Sequence, residues 1–424
     1  MGELIFPLGA PEATDAERFG PKAANQAALG HAGLPTPGGY CLDAEAYRIQ
    51  LRALGLESSA RLVFATDGLE ARRHALDIRL GLLDQPVDPT LLQPLLDAWR
   101  ALTRAAPETL GVVRSSALVE DRFGSSFAGQ FESFLGLENE SEFLTAVRSC
   151  WCALWASRAL RYMATHNVDP ADTAMGLLIQ PLVKARVSGG GLSRTAEGDM
   201  IVSATWGLGS SIAQGEVVPD HYVVSRDGVI RETAAGRKYH RSSCVHGTQS
   251  LDRGPAEEPC LDSEQVLELA DLLTRSEEVI GGPAEIEWAM DDSGFKLLQA
   301  RPLRVEAPHA PDAIWEQHPR LKGHPAGVGW GTGRARVVSC ECELSRVGHG
   351  EVLVTRVAGP SLSQVLPRVS AVVAELGGST SHLAALARER GIPMVLGVPD
   401  ATHAIPDGSM VAVDGVAGIV RWMQ

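Results

Sequence analysis

The amino-acid sequence predicts an α+β protein with a large N-terminal domain and a smaller C-terminal domain. The chain has 424 residues, more than one ordinary domain holds. Residues 91–104, 141–162 and 263–280 show the apolar period of helices, and strand-like runs at 111–113, 201–205 and 284–290 alternate with them. Residues 305–320 are rich in proline and polar side chains, which is typical of a connection between domains.

These signals set the expected boundaries. We predict a first domain at 1–304 with two subdomains divided near residue 185, a linker at 305–320 and a second domain at 321–424. In the second domain we expect one helix at 383–390 and short valine-rich strands at 335–338, 352–355, 371–374 and 410–413.

Composition and charge exclude several classes of protein. Hydrophobic residues make up 45% of the chain and charged residues 21%, and no apolar run reaches the roughly 18 residues of a membrane helix. The acidic N-terminus does not resemble a secretory signal, so we expect a cytoplasmic protein. Seven cysteines form an odd count without a CxxC pair, which fits that compartment and argues against zinc. The net charge of −14 without a basic run argues against a nucleic-acid partner.

A histidine at the start of the predicted C-terminal helix is the sharpest local signal. The hydroxyls of residues 379–381 offer helix caps before His382, and Gly391 with Pro393 ends the helix. Free N–H groups and the positive end of the helix dipole favour a bound phosphate and a neutral, nucleophilic imidazole. Gly377 and Gly378 would allow close backbone approach to a phosphoryl group. The alternative is that His382 caps a helix and does no chemistry.

The N-terminal half offers the groups that a nucleotide triphosphate requires. Arg114 ends a predicted strand, and the small-residue segment 123–130 could lie over phosphates. Glu285 and Glu287 share one face of a predicted strand. A three-residue loop ending in Gly294 would set Gln299 opposite Glu287 and Arg301 opposite Glu285, which predicts a magnesium and phosphate site. The alternative is a solvated hairpin face.

The segment Leu376-Gly-Gly-Ser-Thr-Ser-His-Leu-Ala-Ala-Leu-Ala-Arg-Glu-Arg-Gly-Ile-Pro-Met-Val-Leu-Gly397 resembles the phosphohistidine signature of the PEP-utilising enzymes. That family includes PEP synthase, pyruvate phosphate dikinase and rifampicin phosphotransferase. The resemblance implies a small swivelling β/α domain in which His382 is phosphorylated. It also implies that Thr380 occupies a position regulated by phosphorylation in some dikinases.

The N-terminal half resembles the ATP-grasp nucleotide domain of the same enzymes, through Phe19-Gly-Pro-Lys22, Val113-Arg-Ser-Ser-Ala117, Ser126-Phe-Ala-Gly-Gln130, Trp206-Gly-Leu-Gly209 and Leu298-Gln-Ala-Arg-Pro302. The resemblance implies that ATP and Mg²⁺ are cofactors. It assigns Lys22, Arg114 and Arg301 to the phosphates and Glu287 and Gln299 to magnesium. The ATP-binding set is completed by Gly124, Ser125, Gly129, Gln130 and Glu285.

Three single positions and one segment depart from the family pattern. Pro21 replaces a glycine, Glu285 replaces an aspartate, Ser210 replaces a glutamate, and residues 188–193 replace an SGVxFT-like segment. They leave the expected fold unchanged and bear on nucleotide preference and loop closure.

The resemblance implies a dikinase-type reaction in which ATP phosphorylates His382, with release of AMP and phosphate. The barrel that binds pyruvate in relatives is not found in this sequence, so we expect a small-molecule acceptor or a separate acceptor subunit. A phosphocarrier that hands the group to a partner protein is the main alternative. An ATP-grasp ligase for which His382 is dispensable is a third.

Overall fold

The computed structural model describes residues 3–105, 109–120, 127, 130–238, 240–243, 247–250, 258–306 and 313–423. The chain divides into two compact units. The first contains Met1–Lys184 and Lys296–Arg301, and the second contains Ala185–Phe295 and Pro302–Gln424. The expected boundaries at residues 304 and 320 stay a prediction, since residues 185–295 group with the C-terminal part of the chain.

The first unit is an antiparallel sheet with helices. Its helices are α1 (Ala16–Phe19), α2 (Pro21–His31), α3 (Ala44–Ala53), α4 (Glu57–Ala65), α5 (Gly68–Asp84), α6 (Pro89–Ala105), α7 (Glu140–Ala153) and α8 (Ser157–Thr165). Its strands are β1 (Ile5–Pro7), β2 (Tyr40–Leu42), β3 (Gly111–Ala117), β4 (Ser133–Leu137) and β5 (Met175–Pro181). They form one sheet in the order β1-β2-β5-β3-β4.

Helix α2 is held tightly on strand β3. Pro21 occupies its first turn, where a missing N–H costs nothing, so this departure from the family pattern suits a helix start. The preceding Gly20 has a φ of 78°, and a Cβ there would lie 2.2 Å from the Ser116 carbonyl oxygen. The Ala23 N–H donates to Ser116 Oγ at 3.1 Å. A side chain at position 20 would therefore separate the helix that carries Lys22 from β3.

The helix predicted at 141–162 is in fact two helices, α7 and α8. The chain leaves helical geometry at Ala156, where ψ is 142°. Trp155 lies fully in the core just before the break, and its indole N–H donates to the Tyr47 hydroxyl at 2.8 Å. Burial of this side chain accounts for the break, which apolar periodicity does not signal. The helix predicted at 91–104 is confirmed within α6.

The second unit contains two large sheets and a two-stranded sheet formed by His240–Ser243 and Gly247–Ser250. Its helices are α9 (Ser210–Ala213), α10 (Ser263–Ile280), α11 (His382–Arg390) and α12 (Ala401–Ala404). Its first strands are β6 (Val187–Leu192), β7 (Met200–Trp206), β8 (Asp220–Val224), β9 (Ile230–Ala234), β10 (His240–Ser243), β11 (Gly247–Ser250) and β12 (Ala284–Asp291). Strand β13 (Gly294–Pro302) lies mostly in the first unit. The remaining strands are β14 (Arg320–Lys322), β15 (His324–Pro325), β16 (Trp330–Val338), β17 (Val352–Thr355), β18 (Ala371–Ala374), β19 (Met394–Leu396), β20 (Met410–Asp414) and β21 (Ile419–Trp422).

The first of these sheets carries the predicted carboxylate strand. Strands β12, β6, β7, β8 and β9 pair antiparallel in that order. Helix α10 packs on β12 and β7, and its predicted bounds at 263–280 are confirmed. A capping box formed by Asp262 and Gln265 begins this helix, and Gly281 in the left-handed conformation ends it.

The second sheet has eight strands in the order β14-β21-β20-β16-β17-β18-β19-β15. Strands β16 to β19 pair in parallel, and valines and alanines from both ends of the sheet fill its core. The predicted strands at 352–355 and 371–374 are confirmed to the residue as β17 and β18. Buried parallel strands read as continuous apolar runs, which is why the sequence located them well.

Short 3-10 turns complete the described structure at Pro11–Thr14, Pro170–Asp172, Ala313–Trp315, Glu341–Arg346 and Pro360–Gln364. In the described parts of the chain no helix is both long and apolar enough to cross a membrane. Cys340 and Cys342 form a disulfide with their Cα atoms 5.3 Å apart, a pairing that the sequence analysis did not anticipate.

Candidate active site

His382 begins helix α11, as the sequence predicts. Ser381 is the N-cap: it has extended dihedrals, and its Oγ accepts the Ala384 N–H at 3.2 Å. The cap is therefore Ser381, and Ser379 and Thr380 do not serve this role. Gly391, with a φ of 66°, ends the helix. His382 is half-buried, whereas the next six side chains are buried, so its ring is the accessible group of this helix start.

The loop before His382 lies against the sheet that carries β12. The Gly377 N–H donates to the Val217 carbonyl oxygen at 3.0 Å. A Cβ on Gly378 would lie 2.6 Å from Pro219 Cγ, and a Cβ on Gly190 would lie 2.6 Å from Thr380 Cβ. Both glycines are thus required by close packing rather than by sequence pattern alone.

Strand register places the two predicted carboxylates on the face that this loop covers. Glu285 pairs with Leu192, and Glu287 pairs with Gly190. Opposed residues of antiparallel strands point to the same face, so Glu287 lies on the side where Gly190 meets Thr380. Glu285 shares that face because it is two residues away on the same strand. The structure therefore brings the His382 loop and both carboxylates together.

Arg388 connects these elements directly. Its Nη2 donates to Glu285 Oε2 at 2.9 Å, and its Nη1 donates to the carbonyl oxygens of Ser379 at 2.6 Å and Ala326 at 3.3 Å. Each side chain of the ion pair is 7% exposed. Sequence reasoning missed Arg388, because a pair separated by 103 residues leaves no local pattern.

Thr380, the candidate regulatory residue, is packed on Gly190 as described above. Its Oγ1 is buried and has no hydrogen-bond partner among the described residues. The regulatory role of Thr380 stays a prediction.

In the first unit, two predicted residues meet at Arg114, which lies in the middle of strand β3 and does not end it as the sequence predicted. Arg114 Nη2 donates to Gln299 Oε1 at 2.9 Å, and Nη1 donates to the Leu298 carbonyl oxygen at 2.5 Å. Side chains of α2 hold the same segment, since Asn25 donates to the Ala300 carbonyl oxygen at 3.0 Å and Gln26 to that of Leu297 at 2.7 Å. Arg114 and Gln299, which are distant in sequence, therefore belong to one cluster.

Lys22 has a partner that the sequence analysis did not identify. Its Nζ lies 2.9 Å from Glu120 Oε1, and the Glu120 side chain is fully buried. The Lys22 side chain is 17% exposed. Glu120 follows the end of β3 by three residues. A carboxylate so close in sequence to Arg114 is the feature from which this partner of Lys22 could have been predicted.

The remaining predicted residues are placed as follows. Gly124, Ser125 and Gly129 lie outside the described residues. Gln130 is buried, and its carbonyl oxygen accepts from Arg158 Nε at 2.9 Å. Arg301 is buried in the first unit.

The turn after β12 differs from the predicted loop. It consists of Asp292 and Ser293, one residue fewer than expected, because β13 already begins at Gly294. The Asp291 carboxylate closes this turn by accepting the Ser293 N–H at 2.7 Å. The pairings of Glu287 with Gln299 and of Glu285 with Arg301 stay predictions.

The oxygen donors suit a hard cation. Among the described residues no group of three or more His, Cys, Asp and Glu side chains lies together as a metal site. Magnesium takes few protein ligands and completes its shell with water and phosphate oxygens, so one carboxylate and one amide oxygen fit it. The predicted ligands Glu287 and Gln299 are of these two types, and their assignment to magnesium stays a prediction.

Comparison with known proteins identifies both halves of the chain. Residues 16–320 match the family model "Pyruvate phosphate dikinase, AMP/ATP-binding domain", and residues 347–418 match "PEP-utilising enzyme, mobile domain".

Three relatives are named phosphoenolpyruvate synthase. That of Aeropyrum pernix is 32% identical over 95% of this chain and 56% of its own length. That of Pyrococcus furiosus is 30% identical over 96% of this chain and 57% of its own. That of Escherichia coli K12 is 30% identical over 95% and 55%. The chain thus spans about half the length of these relatives.

Proposed function

Because this chain belongs to the pyruvate phosphate dikinase family of AMP/ATP-binding domains, joined to a PEP-utilising mobile domain, we propose that it is an ATP-dependent phosphotransferase. ATP gives its β-phosphoryl group to a ring nitrogen of His382, AMP leaves, and water takes the γ-phosphoryl group as inorganic phosphate; the phosphoryl group on His382 then passes to a small-molecule acceptor. The observation that carries the proposal is the packing of the His382 loop on the face of Glu285 and Glu287.

The residues of the chain have distinct roles in this proposal. His382 supplies the ring-nitrogen lone pair that forms the N–P bond, and the positive end of the α11 dipole favours a phosphate beside it. Lys22, Arg114 and Arg301 neutralise phosphate charge. ATP and Mg²⁺ are the cofactors, and Glu287 and Gln299 are the residues that would hold the metal, which when bound neutralises the phosphate oxygens.

The names of the relatives indicate which phosphoryl acceptor to test first. Three of them are named phosphoenolpyruvate synthase, so pyruvate is the first acceptor to test. No observation favours transfer to a partner protein, and that alternative becomes an outcome of the test. The cytoplasmic location stays a prediction.

The decisive experiment is mass balance with ATP labelled at the β-phosphorus. The wild-type protein with Mg²⁺ should yield AMP, phosphate and a labelled protein whose label is lost in acid and kept in base, as expected of a phosphoramidate. His382→Ala should bind ATP and carry no label. His349→Ala, an exposed histidine of the same unit, is the matched control and should label normally. Undiminished AMP release by His382→Ala would rule out the phosphohistidine.

The metal assignment is tested in the same assay. Glu287→Ala and Gln299→Ala should fold normally and stop ATP consumption, because each removes one oxygen ligand of a hard cation. Normal turnover in both variants would contradict the assignment. Addition of pyruvate to the labelled wild-type protein should then transfer the label to a small molecule; transfer to protein alone would favour the phosphocarrier.

A further inference from the structure

Arg388 lies beside the predicted phosphate site, because it contacts Glu285. It lies on α11, the helix that begins with His382, and its guanidinium contacts three separate parts of the second unit. These are the Ser379 carbonyl oxygen in the loop before His382, the Ala326 carbonyl oxygen after β15, and the Glu285 carboxylate on β12. One side chain therefore joins the histidine loop to the carboxylate strand.

We propose that Arg388 is a positioning residue for phosphoryl transfer, which holds the His382 loop at a fixed place on β12 through its ion pair with Glu285. This inference rests on the proposed function. It assigns Arg388 no contact with ATP or with the phosphoryl group. Its effect reaches the chemistry through the backbone of Ser379, three residues before the nucleophile.

The ion pair of Arg388 and Glu285 is buried, and the guanidinium bonds its acceptors in fixed directions. Both side chains are 7% exposed, so water does not replace either partner when the other is removed. A planar guanidinium can bond several acceptors in fixed directions, which a lysine ammonium cannot reproduce. Arg388 uses both terminal nitrogens in this way, and the Ser379 carbonyl at 2.6 Å is one of its acceptors. The loop is thereby fixed relative to β12 in position as well as in orientation.

The loop before His382 is packed so closely that even a small shift of this loop would displace His382. Thr380 contacts Gly190 without room for even one extra methyl group, and Gly378 does the same with Pro219. Release of the Ser379 carbonyl would let the segment between these contacts move, and His382 follows directly. A misplacement of about 1 Å at a reacting group can lower a rate about 100-fold.

The test is the single-turnover rate of His382 phosphorylation in Arg388→Met, Arg388→Lys, Glu285→Gln and the double variant Arg388→Met with Glu285→Gln. We expect Arg388→Met to lower the rate at saturating ATP about 100-fold and to leave the half-saturating ATP concentration unchanged. Arg388→Lys should recover part of the rate. The double variant should be no slower than the slower single variant, because the two side chains act as one pair.

Arg336→Met is the matched control. Arg336 forms an ion pair of 2.7 Å with Glu351 inside the C-terminal sheet, and its loss should leave the rate within about twofold, as for other changes away from the reacting groups. Circular dichroism identifies variants that fail to fold. If Arg388→Met is one of these, Arg388→Lys and Glu285→Asp, which shortens the carboxylate side chain, decide the outcome.

Different results would contradict the proposed function and the positioning role of Arg388. A wild-type protein that acquires no label on His382 would overturn the proposed function itself. A labelled wild type with Arg388→Met and Arg388→Lys both at the wild-type rate would overturn the positioning role alone. A rise in the half-saturating ATP concentration at unchanged maximal rate would also overturn it, since it would place Arg388 in nucleotide binding.

Discussion

Asp220 and Lys238 form a fully buried ion pair in the second unit. Asp220 also accepts two backbone N–H groups, those of Gly236 and Cys260, each at 2.7 Å. Lys238 donates in addition to the Glu258 carbonyl oxygen at 2.9 Å. Burial without water makes each charge depend on its partner, since an uncompensated buried ion is far costlier than a pair.

Lys238→Met should therefore lower the free energy of unfolding by about 3 to 5 kcal/mol. It leaves the Asp220 carboxylate buried with its two N–H donors and without a countercharge. Urea denaturation with an unchanged slope measures the loss. Arg346→Met is the control, because its ion pair with Glu343 lies largely in water and should cost no more than about 1 kcal/mol. A loss as small for Lys238→Met would show that Asp220 is protonated or hydrated in the folded protein.

At the residue scale, sequence reasoning succeeded where all the residues that give the signal lie in one short segment. His382 lies at a helix start as predicted. Glu120 and Arg388 were missed for one reason. Their partners are 98 and 103 residues away, and only the folded chain brings them together.

Helix α11 is the element on which the proposed chemistry depends, and its cap is a single hydroxyl. Ser381 is fully buried, and its Oγ satisfies the Ala384 N–H. Ser381→Ala removes this acceptor and should cost about 1 kcal/mol of stability. Hydrogen exchange should show faster opening at Ala384 in particular. Thr380→Ala serves as the comparison, since Thr380 is not the cap and should leave exchange at Ala384 unchanged; equal effects would contradict the assignment.

At the element scale, the strongest predictions were those in which a local signal coincides with the tertiary requirement. Helix α10 was placed to the residue by its apolar period, and in the structure a capping box and a glycine mark the same ends. The break between α7 and α8 was not, since it depends on burial of Trp155 against Tyr47. The triglycine of β6 shows a third case. Gly190 departs from the family pattern in the sequence. Its close contact with Thr380 explains why this position holds a glycine.

At the scale of the whole molecule, the predicted division near residue 185 stays a prediction, and the grouping of distant segments into compact units leaves no pattern in the sequence. Residues 185–295 form one unit with the C-terminal sheet through contacts between distant segments. The Arg237 guanidinium donates to the Glu375 carbonyl oxygen at 2.8 Å, and Lys322 lies 3.7 Å from Glu232. Such contacts have no periodicity and do not appear in a pattern analysis.

A pair of histidines belongs to the same set of contacts. His221 on β8 and His324 on β15 have ring centroids 4.5 Å apart. Burial, and then the charge of Lys322, lower the pKa of His221 to about 4. Burial, and then the neighbouring His221, lower the pKa of His324 to about 3 against the smaller opposing effect of Glu232; Lys322 and Arg237 lower it further. Both rings are therefore neutral in the folded protein at physiological pH.

This pair predicts how stability depends on pH. Both folded-state pKa values lie below the ordinary 6.5, so the unfolded chain binds more protons than the folded one below that pH. Above pH 6.5 the two neutral histidines make their full contribution to the free energy of unfolding. This contribution is lost as the pH falls toward 4 for His221 and toward 3 for His324. The slope should approach two protons, about 2.7 kcal/mol per pH unit.

The measurement is urea denaturation at intervals between pH 5 and pH 8, a window above the titration of most carboxylates. The wild-type free energy of unfolding should be level near pH 8 and fall below pH 6.5 with the slope given above. His221→Gln with His324→Gln keeps polar side chains at both positions and removes both protonation sites, so its profile should be flatter by up to two protons. Because other histidines titrate in the same range, this difference between the two profiles is the quantity that decides. Parallel profiles would mean that both rings already take up protons in the folded state, which close packing of two neutral rings does not allow.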